Sequence, residues 1–202
     1  MATNSERSAS TQASLIAVAA ELFGQQGYAA TSTDAILAQA QLRRGALYHH
    51  FADKAALFEA VCVMHAEAAM QAIIKATADM EEPFEALVRG SIAWIDYMLE
   101  PPVRQILIVD APTVLGWQRW QLLDDRYSTR LLREGVEAAI AAKVIAYPGS
   151  AEFLTVLING ALNAVALRAG GQDGLSDWRG PLRQWFEGMR IIKTVQTVQH
   201  FE

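Results

Sequence analysis

The sequence contains a single cysteine, Cys62, among its 202 residues. One cysteine cannot form a disulfide within its own chain, which excludes a small secreted scaffold held together by disulfides. A chain of this length buries enough apolar surface to fold without such cross-links. We therefore expect a protein of a reducing compartment.

Long hydrophobic runs are also missing. The longest uncharged apolar stretch, residues 153–167, contains two asparagines. As a helix it would extend about 22 Å, which is shorter than the hydrocarbon core of a membrane at roughly 30 Å. Residues 13–20 are weakly apolar but run directly into Glu21, which does not fit a secretory signal. We expect no membrane span and a cytoplasmic location.

Basic side chains are fewer than acidic ones, with 17 Lys and Arg against 22 Asp and Glu, and the net charge is −5. The first 60 residues follow the same trend, since they hold four basic and five acidic side chains. Bulk charge therefore argues against a generic nucleic-acid binder. Any DNA-binding function has to follow from where the charges are placed.

Apolar residues recur with helical spacing along most of the chain, as in Leu15, Ala19 and Leu22. The sequence has no strand-like alternation bounded by turns and no internal repeat. It predicts an all-α protein of about nine helices, in which three short helices precede a long fourth helix that starts near residue 54. Pro112 is expected to end a segment that begins near Val103.

The motif that points to a function lies between Arg43 and Lys54 and has the sequence Arg-Arg-Gly-Ala-Leu-Tyr-His-His-Phe-Ala-Asp-Lys. It resembles the recognition helix of the TetR family of bacterial repressors, whose pattern is Ser-x-Gly-x-Leu-Tyr-x-His-Phe-x-x-Lys. Every fixed position matches except the first, where Arg43 replaces serine. Other matching positions extend the resemblance to about residues 11–62: Leu22, Phe23, Gly27, Tyr28, Thr31, Thr33, Ile36, Ala56, Leu57 and Phe58.

Two departures from the family pattern affect the turn before this helix. Gln41 stands where a turn glycine is usual, so we expect it to adopt a strained turn conformation. Arg43 lacks the hydroxyl that usually caps the helix. The resemblance beyond residue 62 is one of architecture alone.

The resemblance implies a helix-turn-helix head at residues 1–53 and a helical effector-binding and dimerisation domain at residues 54–202. As a homodimer, the protein would place its third helix in successive major grooves of a pseudo-palindromic operator. Arg44 can bond guanine through two hydrogen bonds, and Gly45 allows close approach to DNA. The expected DNA-binding residues are Ser32, Thr33, Arg43, Arg44, Gly45, Ala46, Tyr48, His49, His50 and Lys54.

Several of these residues also have an interpretation that does not involve DNA. Adjacent arginines are usually a solvated patch, and Tyr48 alone is more often a half-buried core aromatic. His50 can be a packing residue. Adjacent histidines on a helix point about 100° apart, and no cysteine or carboxylate stands at chelating spacing, so we expect no metal site.

Aromatic and amide side chains in the second domain suggest a cavity for a small apolar or amphipathic effector. The competing interpretation is a solid core, because aromatic stripes at helical spacing mostly fill space. The uncharged helix near residues 150–169 is expected to be almost entirely buried, and this helix and the last one are the predicted dimer interface. The candidate effector residues are Trp94, Met98, Trp117, Trp120, Phe153, Asn159 and Asn163.

Catalysis finds little support in the sequence. It has no glycine-rich phosphate loop, nucleophile elbow or metal-ligand spacing, and Asp124-Asp125 beside Arg126 is expected to be solvated. We expect no enzyme activity and no cofactor. Two hypotheses remain, a ligand-responsive transcriptional repressor and a helical small-molecule-binding protein with a vestigial DNA head. Sequence-specific, salt-sensitive DNA binding distinguishes them.

Overall fold

The computed structural model describes residues 3–169 and 177–191. Within these residues the chain forms nine helices and no strand, which confirms the predicted all-α fold. Two of the nine are continuous helices with a π-helical middle segment. In chain order the helices are α1 (Asn4–Ala30), α2 (Thr33–Ala40), α3 (Arg44–His50), α4 (Lys54–Thr77), α5 (Pro83–Met98), α6 (101–114), α7 (117–141), α8 (Ala151–Ala169) and α9 (Arg179–Glu187).

Helices α1 to α3 form a compact head whose ends are set by local hydrogen bonds. Ser32 caps α2 by accepting a hydrogen bond from the Ala35 N–H at 3.1 Å, and Asp53 caps α4 by accepting one from the Ala56 N–H at 2.7 Å. Gln41 has φ 55° and ψ 37°, so the expected left-handed turn residue is confirmed. The small core of the head contains Leu15, Ala19, Phe23, Ile36, Leu47 and Phe51.

Helices α6 and α7 each contain a π-helical segment, Arg104–Asp110 in α6 and Asp125–Thr129 in α7. The predicted end at Pro112 is wrong, because α6 continues through this proline to Val114. Pro112 lies two residues after the π-helical segment, where the Ala111 N–H still bonds the Ile106 carbonyl, and this wider turn removes the regular i to i−4 pairing that a proline disrupts. Gly116, with φ 80°, separates α6 from α7.

Helix α8 is buried on one side only in the single chain, so the predicted burial of nearly the whole helix requires a partner on its other side. Its inward side includes Leu154, Ile158 and Leu162. The opposite side, which we call the α8 apolar face, is exposed in the single chain and consists of Phe153, Val156, Leu157, Gly160, Ala164 and Leu167.

Two helices, Lys54–Thr77 and Ala151–Ala169, are long and apolar enough to cross a membrane by length and composition alone. The same properties are typical of core helices in a helical bundle. Here α4 packs against α1 and α5, and α8 packs against α5, α6 and α7.

Helix α9 is attached to α5 by ion pairs. The Arg183 guanidinium donates two hydrogen bonds to the Glu85 carboxylate at 2.7 and 2.8 Å, and Arg179 pairs with Asp96. Ile145 and Arg190 form an isolated antiparallel bridge. Backbone hydrogen bonds on both sides of this bridge join the end of α9 to the loop before α8.

Candidate nucleic-acid interface and ligand cavity

One side of α3 is exposed to solvent and includes Arg44, Gly45, Tyr48 and His49. Arg44, at the first helical position, lies with its guanidinium carbon 5.6 Å from the centre of the Tyr48 ring, and Tyr48 is 45% exposed. A methyl group added at Gly45 would meet no atom within 4 Å. Arg43 precedes the helix without a side-chain capping bond, as its departure from the motif predicted. The N-terminal half of α3 is therefore open to a partner.

The other predicted DNA-binding residues flank this surface. Ser32, Arg43 and His49 are exposed, whereas Thr33, Ala46 and His50 are partly buried. The His50 ring lies 5.0 Å from the His49 ring and 6.4 Å from Phe51, so it also serves the local packing.

A groove of about 480 Å³ between α1 and α3 brings in three residues that the sequence analysis missed. Arg7, Ser8 and Thr11 of α1 line it together with Gly45 and His49 of α3. The only sequence signal for them was a polar, Ser- and Thr-rich segment with one arginine. Arg7 adds a positive charge beside α3.

Lys54 was expected to contact DNA, but in the structure its ammonium is bonded within the protein. Its ammonium donates hydrogen bonds to the backbone carbonyls of Tyr28 and Thr31, both at 2.9 Å, and lies 4.0 Å from the centre of the Tyr28 ring. Two of its three N–H groups are thus used inside the protein. The structure places Lys54 as a residue that fixes the end of α1 against the start of α4.

Between α4, α5, α7 and α8 lies a mainly apolar cavity of about 230 Å³. Of the seven candidate effector residues, Trp94 and Asn159 line this cavity. Its other lining residues include Ile73, Leu87, Leu131 and Leu162. Its volume suits a small organic molecule, and its position between helices is typical of ligand sites in helical proteins.

Two further spaces adjoin this cavity. A small one of about 20 Å³ is lined by Trp94, Met98, Trp120 and Asn163, among others. An open groove of about 550 Å³ lies beside the α8 apolar face and includes Trp117 and Trp120. Phe153 lines none of these three spaces and is 58% exposed. Six of the seven candidate residues therefore line at least one of three spaces that share lining residues.

A polar cluster lies where the three spaces meet. Asp124 Oδ2 accepts hydrogen bonds from Thr129 Oγ1 at 2.9 Å and from Asn159 Nδ2 at 3.0 Å. Asn163 Nδ2 donates to Asn159 O at 3.0 Å and to Asn159 Oδ1 at 3.2 Å. Asp124 was expected to be solvated, and this expectation is wrong because the Asp124 carboxylate points into the domain.

The electrostatics of the cluster follow from this burial. Loss of water around the Asp124 carboxylate raises its pKa, and the neighbouring charge of Asp125 acts in the same direction. The hydrogen bonds from Asn159 and Thr129 oppose the shift because they stabilise the ionised form. No ion pair with Asp124 occurs among the residues that the structure describes.

Two other buried polar groups have unfilled hydrogen-bonding capacity in the same domain. Trp94 is 4% exposed, and its Nε1–H has no acceptor among the residues that the structure describes. His65 Nδ1 lies 3.0 Å from the Tyr97 hydroxyl, while its buried Nε2 has no partner in the same part of the chain. By contrast, Trp120 Nε1 donates to the Leu107 carbonyl at 3.1 Å.

Metal or thiol chemistry has no support in the described ranges. No group of three or more His, Cys, Asp or Glu side chains there could hold a metal ion. Cys62 is fully buried, and this burial, together with the charges of Glu59 and Asp110, raises the pKa of its thiol well above the usual range. A buried thiol of this kind is a packing residue.

Comparison with known proteins identifies two matching families. Residues 15–61 match the bacterial regulatory proteins of the tetR family, and residues 84–187 match the tetracyclin repressor-like C-terminal domain. The second match alone spans just over half of the chain.

Individual relatives extend over nearly the whole length. The transposon Tn10 TetC protein of Escherichia coli is 29% identical over 188 residues, which are 90% of this chain and 91% of that protein. The crystal structure of a TetR-family transcriptional regulator from Pectobacterium atrosepticum has a TM-score of 0.79 at 30% identity and covers 95% of this chain and 99% of that one. RolR, crystallised with its ligand resorcinol, has a TM-score of 0.72 at 17% identity, covers 94% of this chain and 92% of its own, and is similar in fold alone.

Proposed function

Because this chain belongs to the TetR family of bacterial transcriptional regulators, we propose that it acts in the cytoplasm as a ligand-responsive repressor. Residues 1–53 form the DNA-binding head in this proposal, and residues 54–202 form the effector-binding and dimerisation domain, with α4 linking the two. A small apolar or amphipathic effector releases the protein from its operator.

The open surface at the start of α3 is the observation that carries the DNA-binding proposal. Arg44 and Tyr48 project from it, and Gly45 leaves room for a base pair or a sugar. In a major groove, Arg44 would bond a guanine edge, while Ser32, Thr33 and Arg43 would contact phosphates on either side. Arg7, across the groove from α3, supplies a further phosphate contact.

Proteins of this family bind operator DNA as dimers, and the α8 apolar face is the best candidate for the interface. Phe153, Val156 and Leu157 are each about half exposed or more in the single chain. Gly160 and Ala164 leave the middle of the face low enough for another helix to approach closely. Two copies of α8, together with two copies of α9, would form a four-helix bundle and bury this face.

The effector-binding domain contacts the head through α6, and through this contact a bound effector can release the protein from DNA. One side of α6 contacts the ligand spaces through Leu107 and Ile108. Another side meets α1, where Asp110 accepts a hydrogen bond from the Tyr28 N–H. A methyl group at Gly24 would lie 2.6 Å from Pro102 Cβ, so this contact tolerates little displacement.

An effector would then act by shifting a conformational equilibrium. A ligand that fits the cavities better when α6 is displaced would favour a conformer whose two heads no longer match the operator spacing. Its differential affinity for the two conformers sets the size of the effect. Trp94, Met98, Trp117, Trp120, Asn159 and Asn163 are the residues that we propose for this site, and exposed Phe153 is moved to the dimer interface.

The alternative function is a helical small-molecule-binding protein with a vestigial head. The observation that favours it is the excess of acidic over basic side chains in the first 60 residues. Such a protein would bind a ligand without any specific affinity for DNA.

A gel-shift experiment separates the two functions. The probe is the promoter region upstream of the protein's own gene, and a scrambled fragment of equal length serves as the control. A repressor should retain the probe, and the binding should weaken steeply as salt increases because counterions are released. Equal affinity for the probe and the scrambled fragment would favour the alternative. The matched variants are R44A in the head and R89A, which is exposed on α5 far from the head.

A further inference from the structure

The smallest of the three spaces in the second domain contains an unusual pair of polar residues. At about 20 Å³ it holds a single water molecule or one hydroxyl group. Trp94 and Asp124 line it together with Ser128 and Asn163, and the remaining lining is mainly apolar, including Met98, Leu107 and Ile108. The space therefore has room for one polar atom among a small set of hydrogen-bonding side chains.

Trp94 and Asp124 make opposite demands on that atom. The indole N–H of Trp94 can only donate, and it is buried without an acceptor within residues 3–169 and 177–191. An ionised carboxylate can only accept, and Thr129 and Asn159 use two of the roughly four lone-pair sites of Asp124. An occupant that satisfies both residues has to accept one hydrogen bond and donate another.

Two common ligand groups do not fit this place. An ammonium group is attracted by the acidic side chains but has no lone pair to accept a hydrogen bond from Trp94. A ligand carboxylate or phosphate would face Asp124 here and Asp125 and Glu152 in the adjoining groove, and no basic side chain lines either space in the part of the chain that the structure describes. A neutral hydroxyl group meets both demands without a charge penalty.

We propose that the effector is a neutral hydroxylated molecule, a phenol or an alcohol on an apolar body, whose hydroxyl donates to Asp124 and accepts from Trp94. The proposal rests on the function proposed above, in which this domain holds an effector. The apolar body lies in the adjoining cavity of about 230 Å³, which shares Trp94 and Ser128 with the small space.

The local backbone supports this placement. Ser128 and Thr129 both belong to the π-helical segment of α7. Ser128 lines the small space together with Trp94, and Thr129 donates a hydrogen bond to Asp124. Single π-helical turns inside α-helices occur frequently at functional sites. Here the segment delivers both polar side chains to the junction between the spaces.

The test measures binding of four matched probes to the full-length protein by calorimetry, without DNA. The probes are 4-ethylphenol, ethylbenzene, 4-ethylbenzylamine and 4-ethylbenzoate, which differ in one substituent. The phenol should bind about tenfold or more tightly than ethylbenzene, since a buried donor left unpaired is costly. In W94F an aromatic side chain remains but the indole N–H is lost, so the advantage of the phenol over ethylbenzene, measured in the same variant, should shrink to about threefold or less. W178F, at a buried tryptophan outside the three spaces, is the control and should keep the full advantage.

Several results would overturn the proposal. Equal binding of the phenol and ethylbenzene would indicate that the small space holds only a structural water. Tighter binding of the amine would contradict the need for an acceptor at Trp94, and tighter binding of the carboxylate would contradict the argument from charge. A full phenol advantage in W94F, or no binding of any probe at millimolar concentration, would reject the hydroxyl site. Operator binding in the gel shift is measured separately, so rejection of this ligand class leaves the repressor function standing.

Discussion

The Asp110 carboxylate accepts a hydrogen bond from the Tyr28 N–H at 2.8 Å, and this bond joins two residues 82 positions apart in the chain. Tyr28 lies just after the positive-φ residue Gly27, where the regular helical pairing of α1 is interrupted. Asp110 ends the π-helical segment of α6. Two local irregularities of the backbone thus meet at the contact between the head and the cavity domain.

Loss of the Asp110 acceptor should loosen the head. In D110A the Tyr28 N–H loses its partner, and we expect the free energy of unfolding to fall by about 1–3 kcal/mol. Operator affinity should also fall, because a smaller fraction of molecules holds the head in the binding orientation. D110N keeps an acceptor oxygen and should recover most of both quantities. Urea denaturation and fluorescence anisotropy measure them, and equal behaviour of D110A and D110N would contradict this role.

Substitution of Lys54 should lower the stability of the protein and leave the number of its contacts to DNA phosphates unchanged. K54M keeps the length of the side chain but removes the hydrogen bonds to Tyr28 and Thr31, so we expect a loss of about 1–3 kcal/mol of unfolding free energy. K75M, at the exposed far end of the same helix, is the matched control. The slope of log K against log salt distinguishes the two roles. A slope flattened by about one unit per subunit in K54M would restore the phosphate contact expected from the sequence.

Arg44 is expected to discriminate between bases. R44A should weaken operator binding by about 1–3 kcal/mol and relax the preference at one position of each half-site, because a bidentate contact to guanine is lost. The measurement is anisotropy on a panel of operators with single-base changes. R89A should leave the whole panel unchanged. If R44A weakens every operator equally, Arg44 contacts only phosphate.

Local features of the head were predictable because their causes lie within a few residues. The motif placed α3 correctly, and the missing glycine at Gln41 predicted its left-handed backbone. The partners of Lys54 were not predictable, because they lie 23 and 26 positions away and depend on how α1 packs on α4. A motif gives the position of a side chain but not the competing acceptors around it.

Fewer features of the second domain could be predicted from the sequence. Helix α8 is apolar on both sides, so periodicity alone cannot separate the side in the core from the side left for a partner. The inward turn of Asp124 depends on the π-helical segment that follows it, which shifts the helical phase relative to the 3.6-residue pattern. Asn159 and Asn163 were singled out from the sequence because buried amides need partners. In the structure Asn163 donates to Asn159, and Asn159 donates to Asp124.

His65 should make the protein less stable in mild acid. Burial lowers the pKa of His65, so below about pH 6.5 the unfolded chain binds a proton that the folded chain does not. The free energy of unfolding should therefore fall as pH decreases from about 7 to about 5. In H65Q this dependence should be weaker. The raised pKa of Asp124 acts in the opposite direction but is common to both proteins, so the difference between their urea denaturation curves isolates His65. Parallel pH profiles of the free energy of unfolding in the two proteins would contradict this role of His65.

The α8 apolar face should hold two subunits together. Leu157, on this face, and Leu122, on α7, are both exposed leucines in the single chain, which makes the same substitution a matched pair. In an L157E dimer, each subunit would bury one glutamate carboxylate in an apolar interface without a partner. The free-energy cost of burying these two charges is greater than a dimer of ordinary stability can tolerate. We expect L157E to be monomeric at micromolar concentration by light scattering, with its helical circular dichroism intact, and L122E to remain dimeric. The monomer should also lose operator affinity, because one head makes half of the contacts. A dimeric L157E would move the interface to another surface and remove α8 from it.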